Sequence, residues 1–327
     1  MASPILLAVP NVSEGRSAET IAAIGDALAG REAPPPAEAG STEPPGARAP
    51  AGARLLDVHS DPDHHRSVYT LAARPEELSD ALLRGAAAAV ALIDVMDGAD
   101  AAEPRGQHPH VGALDVAPVV YLDTADRGAA CAEALVLADR IGSELGVPVF
   151  LYGELSAEGS APWRSRAELR RGGVQALAAR MAGTDGEPPL RPDFGPGRLH
   201  ASAGATLVAA REPLVAFNLQ LASPATIEQA RAIAASIREG GELGMPGLRA
   251  IGVALGGGVA QVSMNIERPL ELPLAVVVEA VRRHAQIASA ELVGLAPAVA
   301  LAGFPEDVPM PGFDPARHVI ENALGCW

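Results

Sequence analysis

Histidine is placed unevenly along this chain, and that placement is its first chemical signal. Five of the eight histidines fall within the first 110 residues: His59, His64, His65, His108 and His110. His108-Pro109-His110 leads directly into Gly112 and an apolar run. Pro109 has a fixed φ and holds the residue before it extended. That predicts His108 at a loop-to-strand junction, where reactive groups are commonly displayed. An imidazole with an unperturbed pKa of about 6.5 accepts and returns protons near neutrality, so general acid–base work fits. Asp57, Asp61 and Asp63 belong to a neighbouring strand and turn, and one of these carboxylates could orient the ring. The same histidines allow a metal reading, because His108 and His110 would share one face of an extended strand and His59 or His64 would complete a three-histidine set. The serines show no G-x-S-x-G elbow, so a nucleophilic triad has no support. Further along, Gly195-Pro196-Gly197 would let backbone approach a flat ligand, and Arg198 offers a planar fork for a carboxylate. A plain turn with a solvated arginine accounts for the same four residues.

Composition removes several chemistries. Lys and Arg together number 25, and all are Arg. Without lysine there is no Walker-type phosphate loop, and no Schiff base to pyridoxal phosphate. A net charge of −15 argues against nucleic acid, which needs a basic stripe to release phosphate counterions, and against an anionic membrane surface. Cys131 and Cys326 are too few and too scattered for a disulfide framework or a cysteine zinc site. The N-terminal apolar run lacks a preceding basic region and reads as a strand, and no stretch approaches a membrane span. A soluble cytoplasmic protein is expected.

The elements that must position these residues follow a repeated pattern. Arg31 to Arg54 is rich in Pro, Ala and Gly, buries too little apolar surface to offset its ordering entropy, and is expected to be a disordered insertion. Around it, Ile5 to Val9 reads as a strand and Ala18 to Leu28 as a helix. Leu55 to Val58 and Ser67 to Leu71 read as strands, Glu76 to Val95 as an Ala-rich helix and Leu114 to Leu122 as a strand. Ala125 to Met181 adds a helix, the strand Val147 to Tyr152 and another helix, and Gly183 to Pro196 reads as a loop joining two halves. In the second half Ala205 to Leu221 is strand material. A helix opens at Pro224 with Ser223 as N-cap and lasts to about Arg238. Leu248 to Leu255 and Val259 to Ile266 alternate around Gly256-Gly257-Gly258, Leu274 to Ala290 is helical, and Leu292 to Leu295 is a short strand. Each half runs βαββαβ, the ferredoxin-like unit. The expectation is an α+β protein of two such subdomains, with antiparallel sheets covered by helices and a ligand cleft between them.

Taken together, the motifs resemble those of the glutamate formimidoyltransferase family. They run from Val9-Pro10-Asn11-Val12-Ser13-Glu14-Gly15 through His65-Arg66-Ser67-Val68, His108-Pro109 with Gly112-Ala113-Leu114-Asp115-Val116, and Leu151-Tyr152-Gly153-Glu154. Pro192-Asp193-Phe194-Gly195-Pro196, Gly204-Ala205 with Arg211, Ala216-Phe217-Asn218 and Ala260-Gln261-Val262-Ser263-Met264-Asn265 follow, and Glu291-Leu292-Val293-Gly294-Leu295 closes the series. The resemblance implies paired ferredoxin-like subdomains with a substrate tunnel and a boundary near Pro213, hence subdomains 1–213 and 214–327. It places the catalytic histidine at His108. The folate-binding stretch falls on Gly195, Pro196, Gly197, Arg198, Leu199, His200, Ala201, Ser202, Ala203 and Gly204, and Asn11 joins the binding set. The family's Arg after His-Pro is His110 here, its Asn before Arg66 is His65, and residues Asp97 to Arg105 are extra. An Asp that partners the histidine in some members falls on His59, which leaves Asp57 or Asp61 for that role.

The implied reaction moves the formimidoyl group of N-formimidoyl-L-glutamate to tetrahydrofolate, a co-substrate, without a metal. Its products are 5-formimidoyltetrahydrofolate and L-glutamate, in one-carbon metabolism and histidine catabolism. Both ligands carry carboxylates, so the site must be locally positive despite the global charge, with Arg66, Arg105, Arg198 and Arg211 as candidates. A related transferase using N-formyl-glutamate, a catalytically silent folate-binding protein and a metal-dependent hydrolase remain alternatives at this stage. A homodimer is one state the resemblance allows.

Overall fold

The computed structural model describes residues 3–31, 52–97, 109–156 and 164–325. Most of the expected insertion at Arg31 to Arg54, the segment after Asp97 and His108 itself lie outside the described residues. The elements in chain order are β1 (Leu6–Ala8), β2 (Asn11–Val12), α1 (Ala18–Leu28), β3 (Arg54–Asp61), β4 (Arg66–Ala73), α2 (Glu77–Leu92), β5 (Leu114–Val120) and α3 (Arg127–Glu144). Then come β6 (Val149–Leu151), α4 (Arg166–Arg170), α5 (Gly173–Ala182), β7 (Thr206–Arg211), β8 (Val215–Leu221), α6 (Ile227–Ile237), β9 (Leu248–Ala254), β10 (Ala260–Ile266), α7 (Leu274–Arg282) and β11 (Ile287–Val293). Contacts divide the chain into two compact units, Met1–Leu55 with Ser60–Arg211, and Leu56–His59 with Glu212–Trp327.

In the first unit β3 pairs with β4, β4 with β1 and β2, both of these with β5, then β5 with β7 and β7 with β6. The strands of the βαββαβ core are antiparallel, in the order expected of a ferredoxin-like unit. Two prolines explain why one anticipated strand is two. Pro10 separates β1 from β2, and Pro118 of β5 has no N–H to give across the gap, so the ladder is interrupted where both donors are missing. The link there is the Val9 N–H donating to the Pro118 carbonyl at 3.1 Å.

Beyond β5 the sheet exceeds the repeat, because β7 and β6 add parallel pairings. Parallel strands covered on both faces read as unbroken apolar runs, as these do. Helices α1, α2 and α3 close one face around Leu6, Leu71, Val119 and Val208. On the other face Leu169 of α4 and Leu177 and Met181 of α5 close over Phe150, Leu207 and Ala209. The loop at Gly183 to Pro196 therefore runs from α5 towards β7 inside this unit and does not join the halves. Ala205 to Leu221 is two strands of different sheets, broken at Glu212-Pro213.

The second unit is a four-stranded antiparallel sheet in the order β11-β8-β10-β9, the ferredoxin-like arrangement once more. Two expected boundaries shift. Thr226, not Ser223, caps α6, in a capping box whose hydroxyl accepts the Gln229 N–H while Gln229 reaches back to the Thr226 N–H. Helix α7 stops at Arg282, well short of Ala290, and Ile287 to Ala290 belongs to β11, where alternate side chains enter the core. Among the described residues no helix is long and apolar enough to cross a membrane.

Candidate functional site

The sheet of the first unit converges on one buried charge cluster. Asp115, on β5, has a side chain only 2% exposed. Its Oδ1 accepts the Val111 N–H at 2.9 Å. Its Oδ2 accepts from the Arg170 guanidinium of α4, itself 4% exposed, and Nη1 of Arg66 stands 3.4 Å away. Arg66 also donates its Nε to Asn11 Oδ1 at 2.8 Å, and Asn11 in turn donates to the Val9 carbonyl at 2.8 Å. Three strands, β2, β4 and β5, and helix α4 are tied together around one carboxylate. Desolvation works to raise the Asp115 carboxyl, but Arg170, Arg66 and the Val111 N–H outweigh it and hold it below the ordinary carboxylate range. Burial, and after it the charge of Arg170, pulls Arg66 down to about 9 against the attraction of Asp115, so it remains charged at neutral pH.

Val111 lies three residues after His108 in the sequence, and the expected ligand loop is stitched to the same turn. The Ala205 N–H donates to the Val111 carbonyl at 2.9 Å and the Ala113 N–H to the Ala203 carbonyl at 2.9 Å. Ser13 holds the turn from the other side, its N–H donating to Ala113 O at 3.0 Å and its hydroxyl to Gly112 O at 2.7 Å. Glycine is required at both crossing points: a Cβ on Gly112 would stand 1.8 Å from the Ala205 oxygen, and one on Gly204, whose φ is +68°, 2.4 Å from that of Val111. The loop closes on itself as well. His200 and Gly204 exchange backbone hydrogen bonds, and His200 Nδ1 accepts the Ala203 N–H at 3.1 Å, so that nitrogen carries no proton.

The other expected site residues are distributed as follows. Gly195, Gly197, Arg198 and Ala201 are exposed, whereas Pro196, Leu199, His200 and Ser202 are half-buried. Arg211 ends β7, its carbonyl accepting the Tyr121 N–H at 3.2 Å. Asp61 shapes the β3–β4 turn, its Oδ1 accepting the N–H of Asp63 at 2.8 Å and of His64 at 2.9 Å. His65, in the position of the family's Asn, has φ 49°, a left-handed conformation in which Asn is also enriched. Asp57 belongs to the second unit, where its Oδ1 is 3.9 Å from His318 Nε2. His59 is there too, its Nε2 3.3 Å from Oε1 of Glu291. Among the described residues no set of three or more His, Cys, Asp or Glu side chains is arranged to hold a metal ion. His108 and Arg105 lie outside those residues.

Sequence reasoning missed Asp115 and Arg170. Asp115 had a signal, since it is the one charge in the apolar run from Val111 to Leu122. Arg170 had none: it is one of several arginines in Arg164-Ser165-Arg166-Ala167-Glu168-Leu169-Arg170-Arg171, and only the fold selects it.

Comparison with known proteins bears on both units. Residues 5–211 match the family model described as the formiminotransferase domain, N-terminal subdomain, and residues 216–304 match the formiminotransferase domain. The chain is 38% identical over 312 residues to a formimidoyltransferase-cyclodeaminase of Sus scrofa, covering 91% of this chain and 51% of that protein. It is 34% identical over 281 residues to a glutamate formimidoyltransferase of Streptococcus pyogenes serotype M1, covering 84% and 89% respectively. A glutamate formimidoyltransferase of Thermoplasma acidophilum is 33% identical over 300 residues, covering 90% and 88%. The chain thus spans about half the length of the formimidoyltransferase-cyclodeaminases it matches and nearly all of the two glutamate formimidoyltransferases.

Proposed function

Since the chain belongs to the formiminotransferase family, we propose that it transfers the formimidoyl group of N-formimidoyl-L-glutamate to tetrahydrofolate, releasing L-glutamate. The observation that carries this reading is the stitching of residues 203–205 to residues 111–113. The stretch assigned to folate and the turn that continues from His108 are held by one set of backbone hydrogen bonds.

In this mechanism N5 of the folate attacks the amidine carbon, forming a C–N bond and a tetrahedral intermediate. N5 gains positive charge and must lose its proton, while the departing glutamate nitrogen must gain one as its C–N bond breaks. His108 performs both transfers, a contribution of roughly 10²–10⁴-fold for a positioned acid–base group. Asp61 or Asp57 is assigned to orient the imidazole. Arg198, which is exposed, and Arg211, which is half-buried at the end of β7, are assigned to the ligands' carboxylates. Arg66, bonded to Asn11 and facing Asp115, supports the turn at residues 111–113.

The test is an assay of purified protein with tetrahydrofolate and either N-formimidoyl-glutamate or N-formyl-glutamate, following the 5-substituted folate. Turnover with the formimidoyl donor is expected. Turnover confined to the formyl donor, or folate binding without transfer under either, would reject this reading.

A further inference from the structure

Strand β6 ends the sheet of the first unit, and the chain that enters the 195–204 stretch is fastened along its outer edge. The Asp193 N–H donates to the Val149 carbonyl at 2.9 Å, and the Val149 N–H donates to the Phe194 carbonyl at 2.9 Å. Further along this edge, the Leu151 N–H is accepted not by a strand but by Oδ2 of Asp193, at 2.8 Å. Nη1 of Arg164 donates to the same oxygen, while its Nη2 donates to the Arg191 carbonyl at 3.2 Å. The guanidinium thus straddles Pro192, and it lies 5.9 Å from the centre of the Phe150 ring. Arg164 sits just ahead of α4, whose N-cap Ser165 accepts the Glu168 N–H. With side chains 23% and 30% exposed, Arg164 and Asp193 would contribute little as an ion pair alone. What makes the contact a clamp is that the carboxylate also supplies the acceptor an edge N–H needs. Directly after it the chain passes against α3, where a Cβ on Gly142 would stand 2.6 Å from the Gly195 nitrogen.

We propose that Asp193 is a positioning residue for tetrahydrofolate, and that Arg164 is the cation holding its carboxylate. This rests on the assignment of 195–204 to folate made above and adds what holds that stretch ready. The exit of the stretch is stitched to residues 111–113, and Asp193 fastens its entry, so both ends are fixed to one sheet. All of these residues belong to the first unit. A loop already ordered loses less freedom when its ligand binds, and affinity gains by that difference. Releasing the entry therefore weakens folate binding more than donor binding.

The test uses the full-length protein as wild type, Asp193→Ala, Asp193→Asn and Arg164→Gln. Hydrogen exchange of the amides at 193–204 reads the clamp without any ligand. Titration with tetrahydrofolate and with N-formimidoyl-glutamate reads its effect on binding. Asp193→Ala is expected to speed exchange across this stretch and to weaken tetrahydrofolate about 10-fold, the worth of one hydrogen bond, with donor affinity unchanged. Asp193→Asn, which still offers Leu151 an oxygen, and Arg164→Gln should fall between wild type and Asp193→Ala. Unchanged exchange in Asp193→Ala would overturn the clamp. Faster exchange with wild-type folate affinity, or an equal loss for both ligands, would overturn the positioning role. A wild type that binds no tetrahydrofolate would remove the folate assignment itself, which separates that failure from failure of the clamp.

Discussion

At the scale of single residues, Asp115 carries more structure than any histidine described. Its carboxylate is shared by two guanidiniums and a backbone N–H, so removing its charge leaves like charges facing each other in a buried space. Asp115→Asn is expected to destabilise the protein by about 3–5 kcal/mol, the cost of breaking a buried pair, read as a lower midpoint in urea. The pH dependence has a definite sign. The folded-state carboxyl lies below its ordinary value, so its contribution is fully present above the unfolded value of about 3.9 and is lost as pH falls through the folded one. The stability gap between wild type and variant should be constant from about pH 5 to 8 and shrink below about pH 4. A gap independent of pH would contradict the ion-pair account. This part of the site was only half legible in the sequence: Asp115 was conspicuous among apolar neighbours, but its partners come from positions 66 and 170, and distant pairings leave no local pattern.

At the scale of elements, periodicity predicted best where caps and prolines mark the ends. Helix α1 spans Ala18–Leu28 as read, with Ser17 accepting the Thr20 N–H and Glu14 accepting those of Arg16 and Ser17. Helix α7 was over-read because Val- and Ala-rich sequence suits helix and strand alike, and only sheet pairing assigns Ile287 to Ala290. Helix α2 shows a device invisible to local reading. It makes no side-chain cap of its own, and Glu133 of α3 accepts the N–H groups of Glu76 and Ser79 from 57 and 54 residues away. Glu133→Ala should therefore cost about 1–2 kcal/mol, as loss of an N-cap does, and Glu133→Gln less, by urea denaturation. An unchanged midpoint in the alanine variant would show that α2 needs no such cap.

At the scale of the whole molecule, the duplication was legible because both halves repeat one hydrophobic order. The additions to the first unit were not, because β6 and β7 join the sheet through parallel pairings set by distant contacts. The second unit includes Leu56–His59, drawn from a strand whose other residues belong to the first. Unfolding is accordingly expected as a single calorimetric transition, and two well-separated transitions would contradict it. With a net charge of −15, the chain must gather its cations locally to hold acidic ligands. The claim on which the account turns is that proton transfer at position 108 drives the reaction. It is tested most directly by comparing wild type with His108→Ala for formation of 5-formimidoyltetrahydrofolate and for tetrahydrofolate affinity. The account predicts transfer reduced at least about 100-fold with folate affinity nearly unchanged. Transfer at close to the wild-type rate in that variant would contradict it.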